Sequence, residues 1–360
     1  MYKTSFLKIV DKTIGRSLVL CWPRPIVSKT PIDVRNVLFL RPGGIGDAVL
    51  LIPTIHAFQQ AFSHCSIDIL AEKRNSALFF LSPHIRRIYR YDKPCQLFSA
   101  IHKTYDLVID TEQWHQLSAV VARLIGAPML IGYATNEREK LFTHSIPYAH
   151  DEYEINSFLH LLIPLTGELT RDRNLPFLTV PPHLTQKAIS LLTPLSSQRI
   201  VTIFPGSSIR ERKWGSGRFH QTAKLLCEKG YSIVVVGGKE DIAAGEEIVS
   251  SLSGALNLCG RLSLPETAAV LKESSLLITG DSGIMHIGAG LGMKIVSLFG
   301  PGREKKWAPR GENCIVINKH LPCSPCTTFG YTPKCKRNAE CMKQITVEEV
   351  FAAAMTLLEK

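Results

Sequence analysis

Short apolar runs alternate with longer amphipathic stretches along the chain, and this alternation occurs twice. The apolar runs have the length and β-branched content of buried strands, and the stretches between them repeat apolar residues at helical spacing. Such strands, separated by helices, predict an α/β fold with parallel sheets covered on both faces. The predicted strands cover residues 37–40, 67–71, 85–91, 107–110 and 129–133, then 200–204, 233–236, 276–279 and 295–299. The clearest predicted helices cover residues 48–62, 218–229, 241–252, 265–272 and 282–290.

The second series of strands begins after a region containing Pro and Ser at residues 180–197, which predicts a boundary between two domains. Thr346 and Glu349 have the spacing of a capping box before a last helix. Ligands bind open parallel sheets at the carboxyl ends of the strands, so the loops at those ends are the candidate sites. The predicted divisions are an N-terminal segment at 1–30, Rossmann-like domains at 31–185 and 186–345, and a C-terminal helix at 346–360.

The N-terminal segment predicts a helix with an apolar stripe that basic residues interrupt. No cleavage site of small residues follows, so a signal peptide is not expected. No run of about 18 apolar residues suited to a membrane span occurs. Two placements fit the pattern: a helix lying on an anionic membrane surface, or a helix packed on the body of the protein. The stripe consists of Phe6, Ile9, Val10, Ile14 and Leu18, and the basic residues are Lys8, Lys12 and Arg16.

The composition narrows the class of protein. The chain has 360 residues, of which 45% are apolar, and a formal net charge of +11. This balance is typical of globular domains with an anionic partner such as a nucleotide, a phosphate or an acidic lipid. The basic residues are scattered and form no arginine-rich arm, so nucleic acid is not an expected partner. The absence of a secretion signal predicts a cytoplasmic protein with reduced cysteines.

Three glycines follow the first predicted strand, in the sequence Arg41-Pro-Gly-Gly44-Ile-Gly46-Asp47. Glycines at a strand end allow a tight turn and a close approach by a ligand. Asp47 falls at the predicted start of the next helix, where a catalytic role and an N-cap role are both open. The loop has neither the Walker A spacing nor the spacing of a dinucleotide-binding loop.

A second candidate loop follows the first strand of the second half. It contains Ser207 and Ser208 and then the cations Arg210, Arg212 and Lys213. Hydroxyl groups at a strand end, followed by cations, suit a diphosphate. The alternative is a solvated basic loop.

The loop after the next strand carries Glu240 and Asp241 at the start of a helix. Acidic residues at this position can accept hydrogen bonds from ribose hydroxyls. They can equally be first-turn acids that the helix dipole favours, and the residues alone support this second role.

The fourth loop has the strongest pattern. A buried strand ends in Gly280-Asp281-Ser282-Gly283, and the helix that follows offers free N–H groups to an anion. His286 lies about one turn into this helix, so it can face the same pocket. Later glycines at 288, 290 and 292 cost helix stability, which predicts close backbone packing. The alternative is a core histidine beside an N-cap aspartate.

Four cysteines cluster near the C-terminus: Cys323, Cys326, Cys335 and Cys341. One C-x-x-C pair and two later cysteines can hold zinc or iron, but a single pair is a weak signal. Disulfide-capable thiols and reduced thiols are the other two alternatives, and no metal is assigned.

Taken together and in this order, the four loops resemble those of glycosyltransferase family 9, the ADP-heptose:lipopolysaccharide heptosyltransferases. The resemblance runs from about Val34 to the C-terminus and includes the cysteine-containing tail. It implies a GT-B fold, with two Rossmann-like domains facing each other across a cleft. The acceptor would bind the first domain and the nucleotide sugar the second. The reaction would invert the anomeric centre without an essential metal or other cofactor.

The resemblance also implies a role for each matching residue. Asp47 would be the general base for the acceptor hydroxyl, with Gly44 and Gly46 in the acceptor-side loop. A positive charge at Lys213 and the helix start at Ser282 would stabilise the departing ADP. The implied donor contacts are Ser207, Ser208, Lys213, Glu240, Asp281, Ser282, Gly283 and His286.

The favoured function is therefore transfer of a heptose, or a related sugar, from ADP-heptose to lipopolysaccharide core or another lipid-linked glycan. A contact with the inner membrane surface would agree with such an acceptor. Two alternatives remain open. One is a nucleotide-sugar epimerase or hydrolase of the same fold, which would need further acid–base residues. The other is a non-catalytic binding protein, which would tolerate loss of Asp47.

Overall fold

The computed structural model describes residues 9–26, 33–167, 175–195, 199–328 and 331–360. The chain forms two compact units, Met1–Arg173 and Asn174–Lys360. The boundary predicted between residues 185 and 186 falls within the helix Pro182–Leu192, which packs on the helix Leu264–Lys272 of the second unit. Phe6 of the predicted apolar stripe and the neighbouring basic residue Lys8 lie outside the described residues. Which unit binds which substrate stays a prediction.

The first unit contains a six-stranded parallel sheet in the order β3-β2-β1-β4-β5-β6. The central strands are buried along nearly their whole length, as continuous apolar runs require. All five predicted strands are present, and the short sixth strand lacks an apolar run that could have predicted it. The strands are β1 (Asn36–Arg41), β2 (Ser66–Ala71), β3 (Ile85–Arg90), β4 (Leu107–Asp110), β5 (Met129–Tyr133) and β6 (His144–Ile146).

Helices connect these strands. The helix after β1 begins three residues earlier than predicted, because Gly44 occupies the N-cap position. The helices are α1 (Arg16–Cys21), α2 (Ile45–Ala61), α3 (Pro94–Ile101), α4 (Gln116–Ile125), α5 (Glu154–His160) and α6 (Ile163–Thr166). A π-helical turn lies at Asp11–Gly15, and 3-10 turns lie at Ser76–Leu81 and Asn136–Leu141.

The second unit repeats this architecture, with the order β12-β11-β10-β7-β8-β9 and parallel pairing. The two outermost strands were not predicted. Both are only half-buried; Ala255–Asn257 is too short to give an apolar run, whereas the run Cys-Ile-Val-Ile at Cys314–Asn318 was a usable signal that the prediction missed. The strands are β7 (Ile200–Phe204), β8 (Ser232–Val235), β9 (Ala255–Asn257), β10 (Leu276–Gly280), β11 (Ile295–Phe299) and β12 (Cys314–Asn318).

The helices of the second unit cover the sheet, and the last helix packs into its core through Val350, Ala354 and Leu357. The predicted capping box is present, since the Thr346 hydroxyl accepts a hydrogen bond from the Glu349 N–H. The helices are α7 (Pro182–Leu192), α8 (Ser216–Glu228), α9 (Ile242–Val249), α10 (Leu264–Lys272), α11 (Gly283–Gly290), α12 (Glu304–Trp307), α13 (Glu340–Lys343) and α14 (Val347–Leu358). Further 3-10 turns lie at Arg210–Arg212 and Lys239–Asp241.

The N-terminal turns pack on the first unit through Asp11, Gly15 and Val19, which are buried. The Asp11 carboxylate accepts a 2.8 Å hydrogen bond from the Leu117 N–H at the start of α4. Among the residues that the structure describes, no helix is long and apolar enough to cross a membrane.

Candidate functional site

Each sheet has one point where the strand order reverses, and most of the candidate loops lie there. In the first unit this point is between β1 and β4, and in the second it is between β7 and β10. The loops at the carboxyl ends of two such strands diverge to opposite faces of the sheet, which leaves a crevice for a ligand. The loops after β1, β7 and β10 are three of the four loops that the sequence singled out.

Asp47 lies in the first turn of α2 and does not cap it. Gly44 is the N-cap residue, so the N-cap alternative for Asp47 is wrong. Gly43 has φ +110°, a left-handed conformation that favours glycine. The Asp47 side chain is 31% exposed, and its Oδ2 atom is 4.0 Å from Nη2 of Arg41. The loop therefore presents a solvent-accessible carboxylate beside a fixed positive charge.

Arg41 is the buried cation of this loop, with 1% of its surface exposed. Its guanidinium donates to the Pro42 carbonyl at 2.6 Å and the Thr111 carbonyl at 2.7 Å. It also forms an ion pair with Glu112 at 3.3 Å. Thr111 and Glu112 follow β4, so Arg41 joins the loops on the two sides of the strand reversal.

Further polar side chains line the loop after β4. Gln113 donates a 2.7 Å hydrogen bond to the buried Glu154 carboxylate, and the Tyr148 hydroxyl donates to the same carboxylate at 2.9 Å. Burial raises the pKa of Tyr148, and the negative charges of Glu154 and Asp47 raise it further. Tyr148 therefore stays protonated and keeps its hydrogen-bond donor. Sequence reasoning missed this group, although the polar run Asp110-Thr-Glu-Gln113 after a buried strand was a usable signal.

In the second unit, the loop after β7 carries the predicted diphosphate contacts. Ser207 accepts a hydrogen bond from the Ile209 N–H at 3.2 Å, and Ser208 and Lys213 are exposed. Trp214 anchors the end of this loop, since its buried indole donates to the Ile345 carbonyl at 2.9 Å. The exposed side chains are thus mounted on a fixed loop.

The two acidic residues after β8 have different environments. Glu240 is exposed, whereas Asp241 is buried and accepts a 3.0 Å hydrogen bond from the Gly238 N–H. Burial raises the pKa of Asp241. A Cβ atom at Gly206 would lie 2.6 Å from Asp241, so the loops after β7 and β8 meet at this carboxylate. Asp241 is a structural acid, and Glu240 is the one that a ligand can reach.

The loop after β10 brings together the residues of the strongest sequence pattern. Ser282, not Asp281, caps α11, because its Oγ accepts from the Met285 N–H at 3.2 Å. The alternative with an N-cap aspartate is therefore wrong. Asp281 is 5% exposed and His286 is 4% exposed. Asp281 Oδ2 lies 2.8 Å from Nη1 of Arg212, which belongs to the loop after β7.

The protonation states follow from this burial. Burial raises the pKa of Asp281, and the adjacent Arg212 cation opposes the rise. Burial, together with the same cation, lowers the pKa of His286 to about 3. His286 is therefore a neutral imidazole at physiological pH, and its buried Nδ1 atom has no hydrogen-bond partner within the described residues. Such an atom costs about 1–3 kcal/mol, which a bound ligand can offset.

The family model described as "Glycosyltransferase family 9 (heptosyltransferase)" matches residues 95–336. The chain belongs to glycosyltransferase family 9. It is 26% identical over 294 residues to lipopolysaccharide heptosyltransferase 3 of Escherichia coli, which covers 75% of this chain and 85% of that protein.

Solved structures agree with the predicted fold class. The structure of E. coli ADP-heptose lps heptosyltransferase II matches with a TM-score of 0.76 at 20% identity, over 90% of this chain and 98% of that one. The glycosyl transferase family 9 structure from Veillonella parvula DSM 2008 matches with 0.77 at 21% identity, over 91% and 98%. The α/β GT-B fold class and the family are thus confirmed, and the protein is a glycosyltransferase.

The C-terminal cysteines of this glycosyltransferase line one small cavity together with Glu211 and Pro301. All four are free thiols, and no three metal-binding side chains are grouped to hold an ion within the part of the chain that the structure describes. Burial raises the pKa of Cys326 and Cys341. Backbone contacts hold this segment, since the N–H groups of Cys326 and Thr327 both donate to the Pro301 carbonyl.

The predicted close packing is present at Gly288 and Gly290 but not at Gly292, which lies after the end of α11 with φ +76° and whose Cβ would be 3.9 Å from Pro176. A Cβ atom at Gly288 would lie 2.7 Å from Leu277, and one at Gly290 would lie 2.7 Å from Phe177. Gly302 has the closest approach, because its Cβ would lie 2.1 Å from Asp281 Oδ2.

The Gly302→Ala substitution should therefore reduce the free energy of unfolding by about 1–3 kcal/mol, the usual cost of overpacking a buried site. Gly217→Ala is the matched control, since the nearest contact of its Cβ, Glu247 Oε1 at 3.6 Å, is ordinary. Urea unfolding of both variants measures the difference. Equal stability of the two variants would show that Asp281 moves aside freely.

Proposed function

We propose that this glycosyltransferase transfers a heptose from ADP-heptose to a lipopolysaccharide or other lipid-linked glycan acceptor, with inversion and without a metal. The similarity to lipopolysaccharide heptosyltransferase 3 and to the E. coli ADP-heptose lps heptosyltransferase II structure supports this donor and acceptor class. The membership of a transferase family argues against an epimerase or a binding protein. The observation that carries the donor half is the loop after β10, where a capped helix start lies beside Asp281, His286 and Arg212.

The proposed donor site lies at the strand reversal of the second unit. Lys213 is exposed on a fixed loop and supplies a positive charge for the diphosphate, with Ser207 and Ser208 as hydroxyl donors. The N–H groups at the start of α11, after Ser282 and at Gly283, add the positive end of a helix dipole. Glu240 is the proposed contact to the nucleoside, and Asp281 and His286 are proposed to hold the nucleotide sugar.

The proposed base is Asp47. As the bond from the anomeric carbon to the diphosphate breaks, the acceptor hydroxyl forms the new bond and gives its proton to the carboxylate. The charge that develops on the leaving ADP is stabilised by groups already in place, Lys213 and the helix start, which cost no reorganisation during the reaction. Gly44 and Gly46 leave the acceptor a close approach to the loop.

A nucleotide panel tests the donor class. ADP at about 100 times its Kd should stabilise the protein by about 2.7 kcal/mol, whereas UDP and GDP at the same concentration should stabilise it less. Thermal unfolding measures this ranking. Stabilisation by UDP above that by ADP would contradict the donor assignment.

The N-terminal turns are proposed to contact an anionic membrane surface, as a lipid-linked acceptor would require. They pack inward through Asp11, Gly15 and Val19 and leave four large apolar side chains in solvent. An apolar face flanked by basic residues is the usual pattern of a helix at a membrane interface. The exposed residues are Ile9 (58%), Ile14 (55%), Leu18 (39%) and Leu20 (49%), beside Lys12 and Arg16.

The double substitution Ile14→Asp with Leu18→Asp should abolish cosedimentation with phosphatidylglycerol vesicles, because it places charge on the apolar face. Ile189→Asp, at another exposed apolar position (46% exposed), is the control and should bind as the parent does. Binding of the parent should weaken with added salt and be poor to phosphatidylcholine vesicles. Unchanged binding of the double variant would contradict the membrane contact.

A further inference from the structure

The proposed function assigns no task to Arg212, although its side chain lies inside the same site beside Asp281. Its 3-10 turn follows β7, and its backbone carbonyl would lie 3.3 Å from a Cβ atom at Gly280, at the end of β10. The guanidinium reaches the loop after β10, where its Nη1 atom lies 2.8 Å from Asp281 Oδ2. The Arg212 side chain is only 16% exposed, in contrast to the exposed Arg210 and Lys213 around it.

The pairing of Arg212 with Asp281 is incomplete. Nη1 lies 2.8 Å from Asp281 Oδ2, but no aligned hydrogen bond is formed at that oxygen. The buried Nε of Arg212 and the Nδ1 of His286 also lack hydrogen-bond partners within the described residues. A pair that served stability alone would satisfy these atoms, because each buried unpaired group is costly. Three unpaired polar atoms on neighbouring side chains indicate that the group is arranged for a ligand.

We infer that Arg212 is a positioning residue of the donor site, which acts through Asp281 by holding its carboxylate ionised and oriented. The inference rests on the proposed function, because that function places Asp281 against the nucleotide sugar. Arg212 is the charged group that acts on both Asp281 and His286. Gly302, in the loop after β11, also packs against Asp281, but it has no side chain that could add another charge. A buried carboxylate without its cation would take up a proton and lose its negative charge.

The pH dependence of kcat/KM separates this role from a purely structural one. Arg212→Gln should lower kcat/KM about a hundredfold at pH 7, the scale for removing one partner of a buried charge pair. The pKa of Asp281 rises when the cation is removed, so the acid limb of the profile should move to higher pH and the loss should shrink as the pH rises. Arg212→Lys, which keeps the cation, should retain the acid limb of the parent.

Arg199→Gln is the matched control, since it removes an arginine at the opposite end of β7, where its guanidinium lies over the Tyr231 ring. It should leave the profile unchanged. A loss in Arg212→Gln that is uniform across pH, or no loss, would overturn the inference.

Unfolding experiments test the electrostatic coupling between Arg212 and Asp281 without requiring catalytic activity. An acid whose folded pKa is raised above its unfolded value binds more protons in the native state, so stability falls as the pH rises between the two values. Arg212→Gln should therefore lower Tm more at pH 8 than at pH 5. The rise in the Asp281 pKa should make the two losses of Tm differ by about 5 °C. In an Asp281→Asn background the same substitution should lose this pH dependence.

Failure of the proposed function and failure of the role inferred for Arg212 would give different results. If the parent protein transfers no sugar from ADP-heptose but the pH-dependent coupling of Arg212 and Asp281 is found, the proposed function fails and the coupling stands. If transfer occurs and the coupling is absent at both pH values, the role of Arg212 fails and the proposed function stands.

Discussion

Substitution of Asp47 by Asn should lower the rate of sugar transfer about a thousandfold while ADP binding is retained, which is the range for loss of a general base. Asn keeps the size of the side chain, so the first turn of α2 and the contact with Arg41 have no steric reason to change. The carboxylate is the group that accepts the proton, and an amide cannot replace it. Initial rates with labelled donor measure the loss, and thermal protection by ADP measures the binding.

Asp92→Asn is the control for this prediction. Asp92 is an exposed aspartate of the first unit, paired with the nearby Arg90, and it lies outside the loops at the strand reversal. It should transfer sugar at the parental rate. Normal transfer by Asp47→Asn, or equal loss in both variants, would show that another group is the base.

The second large effect is expected at Lys213. Lys213→Gln should lower kcat about a hundredfold, the scale for removing one preorganised charge from a developing anion. KM for the donor should rise as well, because the same charge attracts the diphosphate before reaction. Steady-state kinetics with varied donor concentration separate the two effects.

Lys224→Gln removes a comparable exposed lysine from α8 and should leave both parameters unchanged. If Lys213→Gln raised KM without lowering kcat, Lys213 would bind the donor equally in the ground and transition states. A rate equal to that of the parent would remove Lys213 from the site.

The central strands could be predicted because their local sequences alone identify them as buried strands. Runs such as Leu107–Asp110 and Leu276–Gly280 are buried at every position, so an unbroken apolar segment between helices identifies them. β12 contains the apolar run Cys-Ile-Val-Ile and could have been predicted, whereas the edge strands β6 and β9 are short and mixed in sequence and do not differ from loops. Their positions depend on pairing with a neighbour that is already in place, which a local pattern does not encode.

In the candidate site, too, some residues could be proposed from a local sequence pattern and others could not. Asp47, Ser282 and His286 could be proposed from the sequence, because each lies at or just after a strand-to-helix loop with its own local pattern of glycines and polar residues. Arg41 and Arg212 could be given no partner from the sequence. Their partners Glu112 and Asp281 lie about 70 residues away along the chain, and the strand order brings each pair together.

The sequence also did not predict which residues cap the helices α2 and α11. Asp47 and Asp281 both have the residue type of an N-cap, yet Gly44 and Ser282 take those positions. A shift of one to three residues in a helix start decides between a capping and a functional carboxylate, and local patterns do not fix helix ends that closely.

The most direct test of transfer compares ADP released with heptose incorporated, using ADP-heptose and truncated lipopolysaccharide. A glycosyltransferase with Asp47 as its base should release about one ADP for each heptose transferred and very little without acceptor, since the acceptor hydroxyl is the nucleophile. Release of ADP at the same rate without acceptor would identify a hydrolase. Absence of both ADP and labelled product, with a folded protein, would contradict ADP-heptose as the donor.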